Sequence, residues 1–282
     1  MTRQHDHIRS TVRDQYAKIA EATAAPGKAQ GCAPACCGGS ELNPVDSELL
    51  GYTAEELAAL PEGANMGLGC GNPVAIAALK QGERVLDLGS GGGIDCLLAA
   101  KRVGPKGQVI GVDMTPTMVE KARQNVRDVG ADNVSIRLGE IEHLPVADGS
   151  VDVILSNCVI NLSPDKASVF REALRVLAPG GRLSISDVVA TAPIPDELRD
   201  KAEALTGCIS GAAPVAEVEA LLTEIGFESV KVEVSEASRA FIKDWFPGSN
   251  AENYVASATI SATKPGGACC APTCCDGEKA AE

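Results

Sequence analysis

Histidine is scarce in this 282-residue sequence, with only His5, His7 and His143, and all three lie apart from the cysteines. A mixed His/Cys zinc site is therefore disfavoured, and with no C-x-x-C pair anywhere a zinc knuckle is too. Aromatic residues make up 3% of the chain, and 25 Lys and Arg face 38 Asp and Glu, a net charge of −13. Stacking platforms and a phosphate-neutralising stripe are both missing, so nucleic acid is not an expected partner. No run of about 18 uncharged apolar residues occurs, and the polar start, Met1 to Ser10, has no apolar segment behind it. Neither membrane insertion nor export is expected, and the chain reads as cytoplasmic. What the sequence has in excess is cysteine, 11 residues in all. In a reducing compartment these read as thiols for metal, metalloid or redox work before structural disulfides.

The hydrophobic share of 45% and charged share of 22% are ordinary globular values, so most of the chain is expected to fold. Residues 1–50 read as an amino-terminal arm, with a short polar helix from Thr11 to Ala25 and a loop holding Cys32, Cys36 and Cys37. Thr53 and Glu56 form a capping-box pattern that opens a helix running to Leu60. From Arg84 to Asp187 β-rich runs alternate with helical ones, as in a parallel sheet with crossover helices. Strands are expected at Arg84–Leu88, Gln108–Asp113, Val134–Leu138, Val151–Ser156 and Arg182–Asp187, covered on both faces. Helices are expected at Ile94–Arg102, Thr117–Val129 and Lys166–Leu177, the last stopped by Pro179-Gly180-Gly181. Residues 51–190 thus form a Rossmann-like α/β domain.

Residues 191–264 read as a small cap with sheet completion: helices Glu197–Leu205 and Val215–Ile225, then strands near Ser229–Val234 and Tyr254–Thr263. Residues 265–282 carry no periodic pattern and are expected to be a disordered tail, holding Cys269, Cys270, Cys274 and Cys275. The phrase C-A-P-x-C-C occurs twice, at Cys32 to Cys37 and at Cys270 to Cys275.

The turn from the first strand into the first helix reads Asp87-Leu88-Gly89-Ser90-Gly91-Gly92-Gly93. A dinucleotide fingerprint requires Gly or Ala at position 94, where Ile94 stands. The pattern G-x-G-x-G, with an acid two residues ahead, resembles the first motif of class I methyltransferases. That resemblance implies S-adenosylmethionine as cofactor, its methionine half held by Asp87, Gly89, Ser90, Gly91 and Gly93. Asp113, ending the second strand, is placed to accept from the ribose hydroxyls, and Met114 to cover the adenine face. Glu140, Ile141 and Glu142 follow the third strand at the family's adenine-edge position. Asn157 ends the fourth strand on the same edge.

Cys158 follows Asn157 directly, at the carboxyl edge where open α/β sheets bind ligands. Cys70 and Cys208 sit in glycine-rich loops able to fold over that edge, so the three thiols are candidates to converge. Cys96, in the first turn of a helix, reads instead as a small buried hydrophobe.

The segment Ser156 to Lys166 (SNCVINLSPDK), with Leu86 to Cys96, Gly111 to Thr115 and Cys208, resembles arsenite methyltransferases. The resemblance spans roughly Asn65 to Thr263. It implies an enzyme of class I methyltransferase fold in which Cys70, Cys158 and Cys208 hold trivalent arsenic as thiolates, soft ligands for a soft centre. It also implies a redox cycle, involving a cysteine nearer the amino terminus and reset by thioredoxin or glutathione. Cys32, Cys36 and Cys37 are the candidates for that cysteine, and the Cys36/Cys37 pair is favoured. The tail cysteines have no counterpart in the family core; arsenite capture or relay is one expectation for them, a bystander tail the other. The alternative function is methyl transfer to a small organic acceptor, such as a quinone or sterol precursor, which would leave the three loop cysteines without a role. A non-catalytic metalloid buffer would leave the glycine loop and Asp113 unexplained.

Overall fold

Alternating apolar residues decide the layering. Val85 and Leu155 belong to one buried cluster, while their chain neighbours Leu86 and Ile154 belong to another, because successive strand side chains point to opposite faces. The computed structural model describes residues 2–22, 46–199, 208–245 and 248–266. Seven strands form one sheet: β1 (Arg84–Leu88), β2 (Gln108–Asp113), β3 (Val134–Leu138), β4 (Val151–Asn157), β5 (Leu177–Ala190), β6 (Glu228–Ser235) and β7 (Val255–Thr263). Their order is β3-β2-β1-β4-β5-β7-β6. Neighbours among β1 to β5 are parallel, and β7 runs antiparallel to both β5 and β6. The chain order reverses between β1 and β4, the switch point where open α/β sheets form a crevice at their carboxyl ends.

The helices are α1 (Thr2–Ala22), α2 (Ala54–Ala58), α3 (Pro73–Ile76), α4 (Ile94–Val103), α5 (Pro116–Asp128), α6 (Lys166–Val176), α7 (Asp196–Arg199), α8 (Val215–Ile225) and α9 (Arg239–Trp245). The capping box is present: Glu56 N–H donates to Thr53 Oγ1 at 3.1 Å, and Thr53 N–H to Glu56 Oε2 at 3.0 Å. Phe170, on α6, and Leu222, on α8, pack one sheet face, and Leu98 and Val103 of α4 pack the other. Each such fully buried side chain contributes roughly 1.5–3 kcal/mol of transfer free energy. A third cluster lies over the carboxyl ends of the strands and gathers Val12, Cys70, Cys158, Leu162, Cys208 and Ile242.

Several expectations need correction. α1 starts at Thr2, not Thr11. Its apolar stripe, Ile8, Val12 and Tyr16, is spaced four residues apart and packs on the third cluster, which stabilises a helix whose surface is otherwise polar. α2 ends at Ala58, two residues short of Leu60. β3 is only partly covered, with Ser135 and Leu138 exposed, because it is an edge strand. Pro179-Gly180-Gly181 does not precede β5 but lies within it: the ladder to β4 shifts register there, Gly180 N–H donates to Lys264 O at 3.1 Å, and Lys264 N–H donates to Gly181 O at 2.8 Å. The helix expected at Glu197–Leu205 is described only to Arg199, and the rest falls outside the described residues. Cys32, Cys36, Cys37, Cys269, Cys270, Cys274 and Cys275 also fall outside them. Among the described residues no helix is long and apolar enough to cross a membrane.

Candidate active site

The glycine turn after β1 is held against the end of β2. Gly89 N–H and Ser90 N–H both donate to Val112 O, at 2.7 and 3.0 Å. Gly89 has φ of 67°, and a Cβ there would collide with the Val159 side chain, so glycine is required on both counts. Asp113 ties the turn down further: Oδ2 accepts from Gly91 N–H at 3.0 Å and Oδ1 from Thr115 N–H at 2.8 Å. Burial raises the Asp113 pKa above the usual carboxylate range, while these two backbone donors pull it down. Asp87 is raised well above that range by burial and then by the nearby Asp95 charge, and the Cys96 thiol donates to Asp87 Oδ2 at 3.2 Å. Cys96 is thus buried, as expected, and partnered inside the core.

These groups open into a pocket of about 1050 Å³, its mouth included. Of the residues singled out from the sequence, Asp87, Gly89, Ser90, Gly91, Asp113, Met114, Ile141, Glu142, Asn157 and Cys158 line it. Gly93 stands behind the turn at the start of α4 with φ of 92°, and Glu140, half-buried and paired with arginine, is not among the residues that line the pocket. The arginines come from α1, an element whose place over the site was not legible in the sequence. Arg9 Nε lies 3.4 Å from Glu142 Oε1 and 3.6 Å from Glu140 Oε2, and Arg13 Nη2 lies 3.3 Å from Glu140 Oε1. Ser163 Oγ also donates to Glu142 Oε1 at 2.6 Å. Val12 and Tyr16 line the pocket beside Arg9. The signals that reveal this helix in retrospect are the four-residue spacing of Arg9 and Arg13 and of Val12 and Tyr16.

Two of the three loop cysteines meet sulfur to sulfur beside the pocket, and the third packs against the backbone of Cys158 without joining their cluster. Cys70 and Cys158 are joined as a disulfide with Cα atoms 5.9 Å apart, and Cys208 Sγ lies 2.8 Å from Cys158 O, to which its thiol donates. An Asp187 carboxylate oxygen and the Cys70 and Cys158 sulfurs all lie within 4.8 Å of one another. Cys158 and Cys208 adopt left-handed backbone conformations, with φ of 55° and 64°, unusual for residues carrying a side chain. Burial pushes the Cys208 thiol well up, and the Asp187 charge adds to this while Lys166 opposes it. Burial likewise raises Asp187 to about 6, against donors that include Val188 N–H, Asn161 N–H and Ile160 N–H.

Asn157 connects the two halves of the site. Its Oδ1 accepts from Cys70 N–H at 3.0 Å; its Nδ2 donates to Gly71 O at 2.8 Å and Tyr52 Oη at 3.0 Å, and lies 3.3 Å from Asp95 Oδ2. Tyr52 Oη in turn donates to Asp95 Oδ1 at 2.7 Å. Gly69 lies so close that a Cβ there would stand 2.8 Å from Asn157 Nδ2. Tyr52, which stands in no recognisable motif, and Asp95, which lies in the Leu86 to Cys96 segment but was not singled out from it, also line the pocket.

Sheet order, antiparallel last strand and glycine turn together define a class I methyltransferase. The pocket chemistry suits a cationic methyl donor. Asp87, Asp95, Asp113 and Glu142 line it against one arginine already paired with Glu142, an arrangement that repels a pyrophosphate and attracts a sulfonium and an ammonium. The Ser90 hydroxyl is buried there without a hydrogen-bond partner among the described residues. The methyltransferase domain family matches residues 79–241. The arsenite methyltransferase of Halobacterium salinarum is 51% identical over 93% of this chain and 68% of its own length. That of Aquipseudomonas alcaligenes is 44% identical over 68% of this chain, which spans 56% of that relative. Among solved structures, an arsenic(III) S-adenosylmethionine methyltransferase from Chlamydomonas reinhardtii aligns with a TM-score of 0.58 at 37% identity, covering 78% of this chain and 72% of that one. The chain belongs to the arsenite methyltransferase family, and its methyl donor is S-adenosylmethionine.

Proposed function

We propose that the protein transfers methyl groups to trivalent arsenic held by the thiolates of Cys70, Cys158 and Cys208. The observation that supports this reading is the pairing of Cys70 with Cys158, which itself lines the donor pocket, with the Cys208 thiol next to them on the Cys158 carbonyl; a small shift of the 208 loop would bring its sulfur to the same centre. Arsenic(III) is soft and thiophilic, and three sulfurs satisfy it while leaving its lone pair free. Each thiol that loads replaces one hydroxyl of arsenous acid: an As–O bond breaks, an As–S bond forms, and the thiol proton leaves with the hydroxyl as water. When bound, S-adenosylmethionine supplies an electrophilic methyl group on a sulfonium. Asp87 and Asp113 are proposed to hold its ammonium and ribose ends, Met114 and Ile141 to bracket the base, and Glu142 to face its edge. What the protein adds is proximity, alignment and a site closed to water by α1 and the 158–163 loop. Because the arsenic lone pair is itself the nucleophile, no general base is needed at this step.

Methyl transfer takes arsenic from the trivalent to the pentavalent state. Two thiols that close to a disulfide return two electrons and release two protons, and a thioredoxin-type dithiol or glutathione reopens the pair. The closeness of Cys70 and Cys158 supports such a cycle, and in that reading the disulfide is the form that must be reduced before arsenite binds. Cys36 or Cys37, outside the described residues, is the proposed further redox partner.

The test is to incubate the purified protein with S-adenosylmethionine, glutathione and arsenite and to follow methylated arsenic by chromatography with mass detection. Methylated arsenic from the native protein that disappears in Cys158→Ser and Cys208→Ser is the expected result. No methylated arsenic, with the donor still bound tightly, would transfer the activity to another acceptor.

A further inference from the structure

A second pocket, of about 660 Å³ with its mouth, is lined by Cys70, by the turn before α2, by α3, by the start of α9 and by β5 and β7. It shares only Leu50 with the donor pocket, so the Cys70–Cys158 pair spans the two: Cys158 lines the first and Cys70 the second.

Its chemistry differs sharply from that of the donor pocket. None of its described lining residues carries a charge. Its floor is hydroxyl-bearing because β5 and β7 pair with Ser186 opposite Thr259 and Val188 opposite Ser257, so that Ser186, Ser257 and Thr259 share one face. The hydroxyls of Ser186 and Ser257 are buried with no hydrogen-bond partner among the described residues, although buried polar groups are normally satisfied. Ser186 sits beside the cysteine loop: a Cβ on Gly71 would stand 2.7 Å from its Oγ. A neutral pocket with spare hydroxyls, ending at the Cys70 side of the disulfide and so at a thiol once that bond is reduced, suits a small uncharged hydroxyl-rich molecule. It does not suit a sulfonium cation or a carboxylate-bearing peptide.

We propose that this pocket is the access route for arsenous acid, which is an uncharged trihydroxide at neutral pH, so that donor and acceptor reach the thiol cluster through different pockets. The proposal rests on the arsenic reading above. Ser186 and Ser257 exchange hydrogen bonds with the incoming hydroxyls, and Cys70 is the first thiol to displace one as water.

The experiment uses the full chain, its disulfide opened with a phosphine, mixed with sodium arsenite in a stopped-flow instrument and followed by arsenic–thiolate absorbance. It is run with and without saturating S-adenosylhomocysteine, which fills the donor pocket but carries no transferable methyl. With separate routes, filling the donor pocket slows arsenite association by less than about threefold, whereas Ser257→Leu, which narrows the second pocket, slows it about tenfold or more at unchanged S-adenosylhomocysteine affinity. Slowing by threefold or more in the native protein overturns the proposal, and so does a folded Ser257→Leu protein with native association kinetics. Should that variant not fold, the native comparison decides alone. If the reduced protein binds no arsenite at all, the arsenic reading fails and the access route with it, an outcome distinct from slowed binding.

Discussion

The side-chain oxygen of Asn157 accepts the backbone N–H of Cys70 at 3.0 Å across 87 positions of sequence, while the next residue, Cys158, holds the Cys70 sulfur. One dipeptide at the end of β4 therefore fixes both the backbone and the sulfur of a loop that arrives from before β1. Asn157→Ala removes the acceptor for Cys70 N–H and the donor for Gly71 O together. Losing buried hydrogen bonds of this kind costs about 1–3 kcal/mol, so the expected outcome is a KM for arsenite raised roughly tenfold, with the KM for S-adenosylmethionine changed much less. Asn157→Asp keeps the acceptor for Cys70 N–H but sets a carboxylate oxygen against Gly71 O and Asp95, so it should not recover the loss. Equal rises in both KM values would mean that Asn157 serves the donor instead.

Arg9 and Glu142 make a second prediction. Glu142 is buried and accepts from Arg9 and Ser163, so Arg9→Ala strands a carboxylate beneath α1. Breaking a largely buried pair from one side is destabilising, here on the order of 1–3 kcal/mol because Arg9 keeps some solvent contact. Calorimetric titration with S-adenosylhomocysteine should show affinity reduced about tenfold, since α1 roofs the pocket. Unchanged affinity would separate α1 from donor binding.

Asp95 sets a pH dependence. Burial raises its pKa from 3.8 to about 6, against hydrogen bonds from Tyr52 and Asn157. Between those values the native protein keeps a proton that the unfolded chain has lost, so this group makes stability fall as pH rises through that window, the penalty being complete above about pH 6. Asp95→Asn has no such titration. Urea midpoints measured from pH 4 upward should therefore show a shallower fall with pH in the variant than in the native protein over that range, and parallel curves would contradict the assignment.

Cys96 supplies the contrast to the three loop cysteines. Its sulfur is fully buried against Asp87 in the core beneath the glycine turn. Cys96→Ala should lower stability by about 1–2 kcal/mol, through the lost contact and the unpaired Asp87 oxygen, with arsenic stoichiometry unchanged. A lower stoichiometry, measured by mass spectrometry of the reduced protein, would make Cys96 a ligand.

The strands and the glycine turn were legible in the sequence because local chemistry specifies them: buried β-rich runs bounded by turns, and a backbone conformation at Gly89 that needs glycine. Cys70, Cys158 and Cys208 were singled out because each lies in a loop able to reach the carboxyl edge of the sheet; the structure pairs the first two, while the Cys208 sulfur reaches the Cys158 carbonyl instead. α1 was not placed, since Ile8, Val12 and Tyr16 form a thin stripe on a polar helix, and such a stripe names no partner. Asn157 was singled out for the right edge of the sheet, but its bonds to Cys70 and Gly71 depend on a loop distant in sequence. The Pro179-Gly180-Gly181 turn reads locally as a break, yet pairing with β4 and with Lys264 carries the strand through it. The second pocket has no sequence signature because its serines alternate on two strands that pair only in the folded sheet.

The most direct measurement is arsenic-edge X-ray absorption of the fully reduced protein loaded with one equivalent of arsenite. Three sulfur neighbours and no oxygen are predicted, falling to two sulfurs in Cys208→Ser and unchanged in Cys96→Ala. An arsenic centre that retains oxygen neighbours in the native protein, or that keeps three sulfurs without Cys208, would contradict the three-thiolate site.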